Sequence, residues 1–194
     1  MKAIWYEKFG SPKEVLKYGD FNSPKPKKGQ VKIRVYASGL NPSDTKKRLG
    51  ANQKLLEAGP VIPNSDGAGE IVEVGDKVSA DRIGERVWIY NGQFGQQEGT
   101  SAEYICVPEN QAVFLPKNTS YQEGAMMGIP AMTAHRCVLA DGSVEGKTIL
   151  VTGGSGRVGY YAIQWAKYFG ATVIATGSSE ESKKHCIRAG ADLV

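Results

Sequence analysis

The feature that most constrains this chain is a set of spaced glycines between two apolar segments. Thr148-Ile149-Leu150-Val151-Thr152 is a continuous apolar run, as expected of a strand buried in a parallel sheet. Gly154-Ser155-Gly156-Arg157-Val158-Gly159 follows almost at once and fits the spacing G-x-G-x-x-G. A helix is expected from about Gly156 to Phe169, with Val158, Ala162, Trp165, Ala166 and Phe169 on one face. Thr172-Val173-Ile174-Ala175 is expected to be a second buried strand. Strand, glycine turn, helix and strand together make a βαβ unit, and in that setting the motif reads as a dinucleotide site. Gly154 is expected to allow the sharp turn, Gly156 to let the backbone approach a pyrophosphate, and Gly159 to let the helix pack on the sheet. Amides around Gly156, Arg157 and Val158 would then point at the phosphates, helped by the helix dipole.

The tip of the second strand bears on which dinucleotide fits. An NAD site places an Asp or Glu about 20 residues after the loop, against the ribose 2′-hydroxyl. Here the strand runs out as Ala175-Thr176-Gly177-Ser178-Ser179, with no acid at the tip. Ser178, Ser179, Lys183 and Lys184 suit a 2′-phosphate, so NADP(H) is the expected cofactor. Adjacent helix positions point in different directions, so one of the two lysines is expected on a solvated face. Gly146-Lys147-Thr148 resembles the end of a P-loop, but it precedes its strand instead of following one.

Around this unit the chain changes character. Residues 1–118 read as a β-rich domain. Val31 to Tyr36 alternates with period two, and Ile71–Val74, Val87–Ile89 and Tyr104–Val107 are further short strands between turn residues. Asn41-Pro42-Ser43-Asp44 opens a short capped helix that stops near Gly50. Residues 119–194 read as α/β. Ser120-Tyr121-Gln122-Glu123 is a capping box, and Pro130 is expected to interrupt the helix it opens. Ser178 to Glu181 caps a further helix that ends at Gly190, and Ala191–Val194 starts a third strand.

Composition narrows the function classes. Twenty-four glycines in 194 residues, about 12% against a usual ~7%, fit a chain rich in turns and close backbone approaches. No apolar run has the length of a membrane span, and Met1–Gly10 has no apolar h-region, so no signal peptide is expected there. Cys106, Cys137 and Cys186 are odd in number and widely spaced, which suits a reducing, cytoplasmic setting and small core residues better than disulfides. Cys-x-x-Cys and His-x-x-x-His are absent, so no metal site is expected. His135 reads as a helix-end or interface residue and His185 as part of an exposed helix face. Residues 1–60 carry 13 lysines and arginines against 5 carboxylates, a net +8, while 61–194 carry 11 against 15, a net −4. No nucleic-acid motif accompanies this basic third, so nucleic acid is not the expected main partner.

Several further segments, taken in order, make the chain resemble a known family. They are Gly39-Leu40-Asn41-Pro42-Ser43-Asp44, Asn64 to Val72, Gly99 to Tyr104 and Ile129-Pro130-Ala131-Met132-Thr133-Ala134. With the glycine loop they are similar to the medium-chain dehydrogenase/reductase superfamily, in its zinc-free quinone oxidoreductase (zeta-crystallin-like) branch. Zinc alcohol dehydrogenases carry a metal-ligating cysteine where Asn41 stands, and Gly-His-Glu within the stretch Asn64-Ser65-Asp66-Gly67. The resemblance implies a GroES-like β domain followed by a Rossmann dinucleotide-binding domain. It implies that Asn41 and Thr133 lie near the nicotinamide, and that Gly153, Gly154, Ser155, Gly156, Arg157, Val158 and Gly159 bind the pyrophosphate. Ser178 and Lys183 (or Lys184) would flank the 2′-phosphate. The implied activity is NADPH-dependent hydride transfer to a small molecule, a quinone or an activated alkene or carbonyl. Relatives often have tyrosines in the substrate cleft where this chain has Lys46 and Asn52, so the acceptor is not fixed by the resemblance.

A doubly wound domain has six strands, and only the start of a third is reached here, so the sequence reads as the N-terminal part of an enzyme on the order of 300 residues. The first strand is then expected to show an unpaired edge, which favours a homo-oligomer. A catalytically incompetent fragment that binds cofactor is the alternative reading.

Overall fold

Apolar–polar alternation gives the first half of the chain its antiparallel strands, because successive side chains leave opposite faces of a sheet. A computed structural model describes all 194 residues, which cluster as two units, Met1–Ile129 and Pro130–Val194. In the first unit β1 (Lys2–Trp5) leads through the single-turn helix α1 (Pro12–Val15) to β2 (Lys17–Asp20), and the two strands pair antiparallel. β3 (Gln30–Gly39), helix α2 (Pro42–Arg48), β4 (Asp66–Val74), β5 (Arg86–Ile89), β6 (Tyr104–Pro108) and β7 (Ala112–Phe114) follow. The strands form one five-stranded sheet in the order β6-β3-β4-β5-β7, antiparallel at every pairing. Its buried face carries Val31, Ile33, Ile71, Val87, Ile89, Ile105 and Val107. Each such side chain contributes about 1.5–3 kcal/mol by leaving water.

The capping box forms as expected. Ser120 Oγ accepts from the Glu123 amide at 3.2 Å, and the Glu123 carboxylate accepts from the Ser120 amide at 2.7 Å. Helix α3 (Tyr121–Gly124) starts there. Pro130 lacks an amide hydrogen, and it sits in a π-helical turn, Met127–Ala131, that separates α3 from α4 (Met132–Leu139).

The second unit continues with β8 (Thr148–Val151), α5 (Arg157–Tyr168), β9 (Thr172–Ala175) and α6 (Glu180–Ala189). β8 and β9 pair in parallel, from Thr148 opposite Thr172 to Val151 opposite Ala175. Leu193 forms a parallel bridge with Ile174, which is the expected start of a third strand. Gly190 ends α6 in a left-handed conformation at φ +105°. The core of this unit gathers Val151, Ile163, Ala166, Val173, Ala175 and Cys186.

Four expectations need correction. β8 is not buried on both faces. Val151 is buried in the core with Ile163 and Ala166 of α5, but Leu150, on the other face of the strand, is 62% exposed. The buried stripe of α5 centres on Ile163 and Ala166, while Val158 is 39% exposed. Cys106 and Cys186 are core residues, whereas Cys137 is exposed on α4. His185 is half-buried, its ring stacked on Tyr160 at 4.4 Å between centroids.

Candidate functional site

The glycine loop lies between β8 and α5, where its motif placed it, but its glycines divide their work differently. The positive φ of the turn belongs to Gly153, at +62°, one residue before the motif. Gly154 is a packing glycine: a Cβ there would come within 2.9–3.0 Å of Cys186 Sγ, Ala175 Cβ and Ile163 Cδ1. Gly159 is packed still more closely, since a Cβ would overlap the carbonyl oxygen of Gly153. This close approach lets the first turn of α5 sit directly on the loop.

The amide of Gly156 is not free, as the motif alone would suggest. It donates to the Gly153 carbonyl at 2.9 Å and closes the loop on itself. Gly156 is the N-cap of α5, and the first bond into the helix backbone runs from the Tyr160 amide to the Gly156 carbonyl at 2.8 Å. The amides of Arg157, Val158 and Gly159 precede that bond, so they have no helical acceptor and sit at the positive end of the helix dipole. Ser155 is half-buried, and Arg157 extends from the exposed start of the helix. This cradle of amides, with glycine where a side chain would intrude, fits a pyrophosphate.

Thr176, just beyond β9, holds the loop in place and was not singled out by the sequence. Its Oγ1 accepts from the Gly153 amide at 2.9 Å, and its carbonyl accepts from the Gly154 amide at 3.0 Å. Its own amide donates to Val151 at 3.0 Å, so one residue ties the loop to both strand ends. Ser178 and Lys183 are exposed near the same strand end, and no carboxylate lies between Thr176 and Ser179. Ser179 is the N-cap of α6 and accepts from the Ser182 amide at 3.1 Å.

The second constellation lies in the first unit, around Asn41. Asn41 is the N-cap of α2 and is 5% exposed. Its amide hydrogen goes to the Asp44 carboxylate at 2.8 Å, and its Nδ2 donates to Asp66 Oδ2 at 2.8 Å. The same Asp66 oxygen accepts from the Ile129 amide at 2.8 Å. Asp66 is wholly buried, and its other oxygen, Oδ1, has no partner. Gly128 makes room for it, since a Cβ there would overlap that oxygen. Burial pushes the Asp66 carboxyl up from the usual 3.8 to about 6; the Ile129 and Asn41 donors oppose the rise, and Asp44 adds to it. Burial raises the Asp44 carboxyl as well. A hydrogen-bond chain supports β4 from below. Asn64 Nδ2 donates to Ser38 Oγ at 3.0 Å, and Thr100 Oγ1 donates to the Asp66 carbonyl at 2.6 Å. The 2.8 Å contact between Ser38 and Thr100 must then carry the serine hydrogen.

Motif reading singled out Asn41 but not Asp66, whose two donors come from positions 25 and 63 residues away in sequence. Thr133 lies on the exposed surface of α4 in the second unit. Of the two positions where relatives carry tyrosine, Asn52 lines a cavity in the first unit with Lys47, while Lys46 is exposed outside it.

Comparison with known proteins agrees with this architecture. Residues 27–117 match the alcohol dehydrogenase GroES-like domain family. The quinone oxidoreductase of Mus musculus is 38% identical over 195 residues, which take in 100% of this chain and 57% of that protein. A 2-methylene-furan-3-one reductase of Solanum lycopersicum is 36% identical over 198 residues, covering 100% of this chain and 51% of that protein. A solved mycobacterial protein complexed with NADPH superposes with a TM-score of 0.85 at 31% identity, covering 100% of this chain and 58% of that one. The chain therefore spans a little over half the length of these relatives. Matching segments run from the β-rich unit through the glycine loop, and the chain is similar over its whole length to proteins named quinone oxidoreductases.

Proposed function

We propose that this chain serves an NADPH-dependent oxidoreductase that transfers hydride to a quinone or an activated alkene or carbonyl. The observation that carries the reading is the glycine cradle at the start of α5 beside a strand tip that lacks an acid. NADPH, when bound, supplies the hydride; the protein's part is binding and orientation. Gly153, Gly154, Ser155, Gly156, Arg157, Val158 and Gly159 hold the pyrophosphate, with the amides of Arg157, Val158 and Gly159 as donors. Ser178 and Lys183 receive the 2′-phosphate, the serine as a neutral donor and the lysine as a point charge. Asn41 and Thr133 are assigned to the nicotinamide end of the reaction. Asn41 is well suited to a positioning role, since Asp66 fixes its side-chain amide.

Residues 1–118 are assigned the substrate and catalytic role and 119–194 the cofactor role. Similarity to both a quinone oxidoreductase and a furanone reductase supports a small two-electron acceptor as substrate. No helix is long and apolar enough to cross a membrane.

The test is NADPH consumption, followed against a panel of quinones and a panel of enones, by this chain and by a longer version of the protein. Turnover with a preference for NADPH over NADH is the expected result. Absence of turnover by both would overturn the reading. A second reading is favoured by the two-stranded β8-β9 sheet: this chain alone binds cofactor without catalysis. Quenching of Trp165 fluorescence by NADPH, without turnover by the chain alone, would select it.

A further inference from the structure

The first unit, proposed above for the substrate role, contains a cavity of about 410 Å³. Its volume falls within the range of small-molecule sites. Lys47 and Lys54 are the charged residues that line it, and no carboxylate does. The remaining lining residues are mostly neutral hydrogen-bonding groups, with Leu55, Phe94 and Ile129 as apolar surfaces.

Lys47 is half-buried and held in a fixed place. Its Nζ donates to Gln93 Oε1 at 3.1 Å and to Ser65 Oγ at 3.3 Å. Gln93 and Ser65 are themselves only 4% and 3% exposed. Gln93 cannot turn away, because its Nε2 is committed to the Ile62 carbonyl at 2.8 Å. Both partners of Lys47 are neutral, and an ammonium has three donors, so one N–H is left for a ligand. Lys47 and Lys54 are absent from every ion pair in the structure.

Two carboxyl groups do feel Lys47. Asp44 and Asp66 lie outside the lining, neither bonds to the ammonium, and each has an oxygen with no partner. Their attraction for Lys47 offsets part of its charge, while the charged groups of the lining itself are positive only. Lys54 is exposed and adds a second positive charge to the lining. A wall of one sign with partly desolvated charge concentrates anions.

We infer that this cavity binds a carboxylate, and that the acceptor reduced by this protein is an α,β-unsaturated carbonyl compound carrying one. The second half of the inference rests on the reductase reading above; the first does not. Lys47 meets the carboxylate as the deep anchor, Lys54 adds attraction from the exposed side, and Leu55 and Phe94 take the carbon frame.

The test uses the 194-residue chain and a matched pair of compounds, trans-3-benzoylacrylate and its methyl ester. Binding is followed by backbone amide shifts of Ser65, Gln93 and Gln97 in the nuclear magnetic resonance spectrum. The acid is expected to bind at least tenfold more tightly than the ester, with the preference shrinking as salt rises. In Lys47→Met the preference should fall to within twofold. Lys54→Met, at an exposed position that the core does not need, should reduce it about threefold and guards against misfolding of the first variant. Equal binding of acid and ester, an acid preference that survives both substitutions, or no binding of either compound would each overturn the site. NADPH consumption with the same pair separates the two readings. Selective acid binding without turnover by either this chain or the longer version would leave the site standing and remove the reductase. Turnover of both compounds without charge preference would do the reverse.

Discussion

The glycine loop and the Asn41–Asp66 cluster are built from opposite materials. The loop is almost entirely backbone: amides, carbonyls and the absence of side chains at Gly154, Gly156 and Gly159. The cluster is made of side chains, with one buried carboxylate oxygen shared by an asparagine and a backbone amide. A backbone site tolerates changes of chemistry at exposed neighbours but not of shape at its glycines. A side-chain site inherits the protonation state of its carboxylate and is therefore sensitive to pH.

Substitution at the glycine that packs closest is expected to have the largest effect. Gly159→Val drives carbon into the Gly153 carbonyl. It should destabilise the second unit by roughly 3 kcal/mol and abolish dinucleotide binding, read by thermal melting and Trp165 fluorescence. Retained affinity would show that the loop adapts, and that the backbone description is too rigid.

The pH dependence of the cluster comes next. The folded protein holds the Asp66 proton up to about 6, against 3.8 as the ordinary value. Between these values the folded state binds more protons than the unfolded one, so stability falls as pH rises through the interval and levels off above it. A shift of about two units corresponds to about 3 kcal/mol. Asp44 and Lys47 face Asp66 with opposite effects, the first raising and the second lowering the value. Asp66→Asn carries no titrating group, so its denaturant stability relative to the unmodified chain should improve by that amount from pH 4 to pH 7. Parallel profiles would mean that Asp66 titrates normally despite its burial.

Smaller effects mark where each region borrows from the other's materials. Thr176→Val removes the one side-chain acceptor of the loop, that of the Gly153 amide, and should cost about 1 kcal/mol and a few-fold in cofactor affinity. Ser120→Ala removes the cap of α3 and should cost about 0.5–1 kcal/mol without touching cofactor affinity. An unchanged affinity in Thr176→Val would make the loop independent of side chains altogether.

The same contrast explains what could be read from sequence. The loop was legible because two close approaches within six residues, at Gly154 and Gly159, leave no room for a side chain, and glycine spacing survives in one dimension. Even so, the motif pattern misassigned the turn, since Gly153 with its positive φ stands just before it. Strand alternation around Val31 and the caps at Ser120 and Ser179 were legible for the same local reason. Asp66 was not, because its significance comes from partners 25 and 63 residues distant.

The Gly156–Gly153 hydrogen bond has a consequence for the rate and heat of binding. A loop that is already closed by its own backbone, and clamped by Thr176, surrenders little conformational freedom when an anion arrives. Association should therefore be a single fast phase with no slow rearrangement behind it. Its entropy should be dominated by water released from the phosphates and the bare amides of α5, not by ordering of the chain.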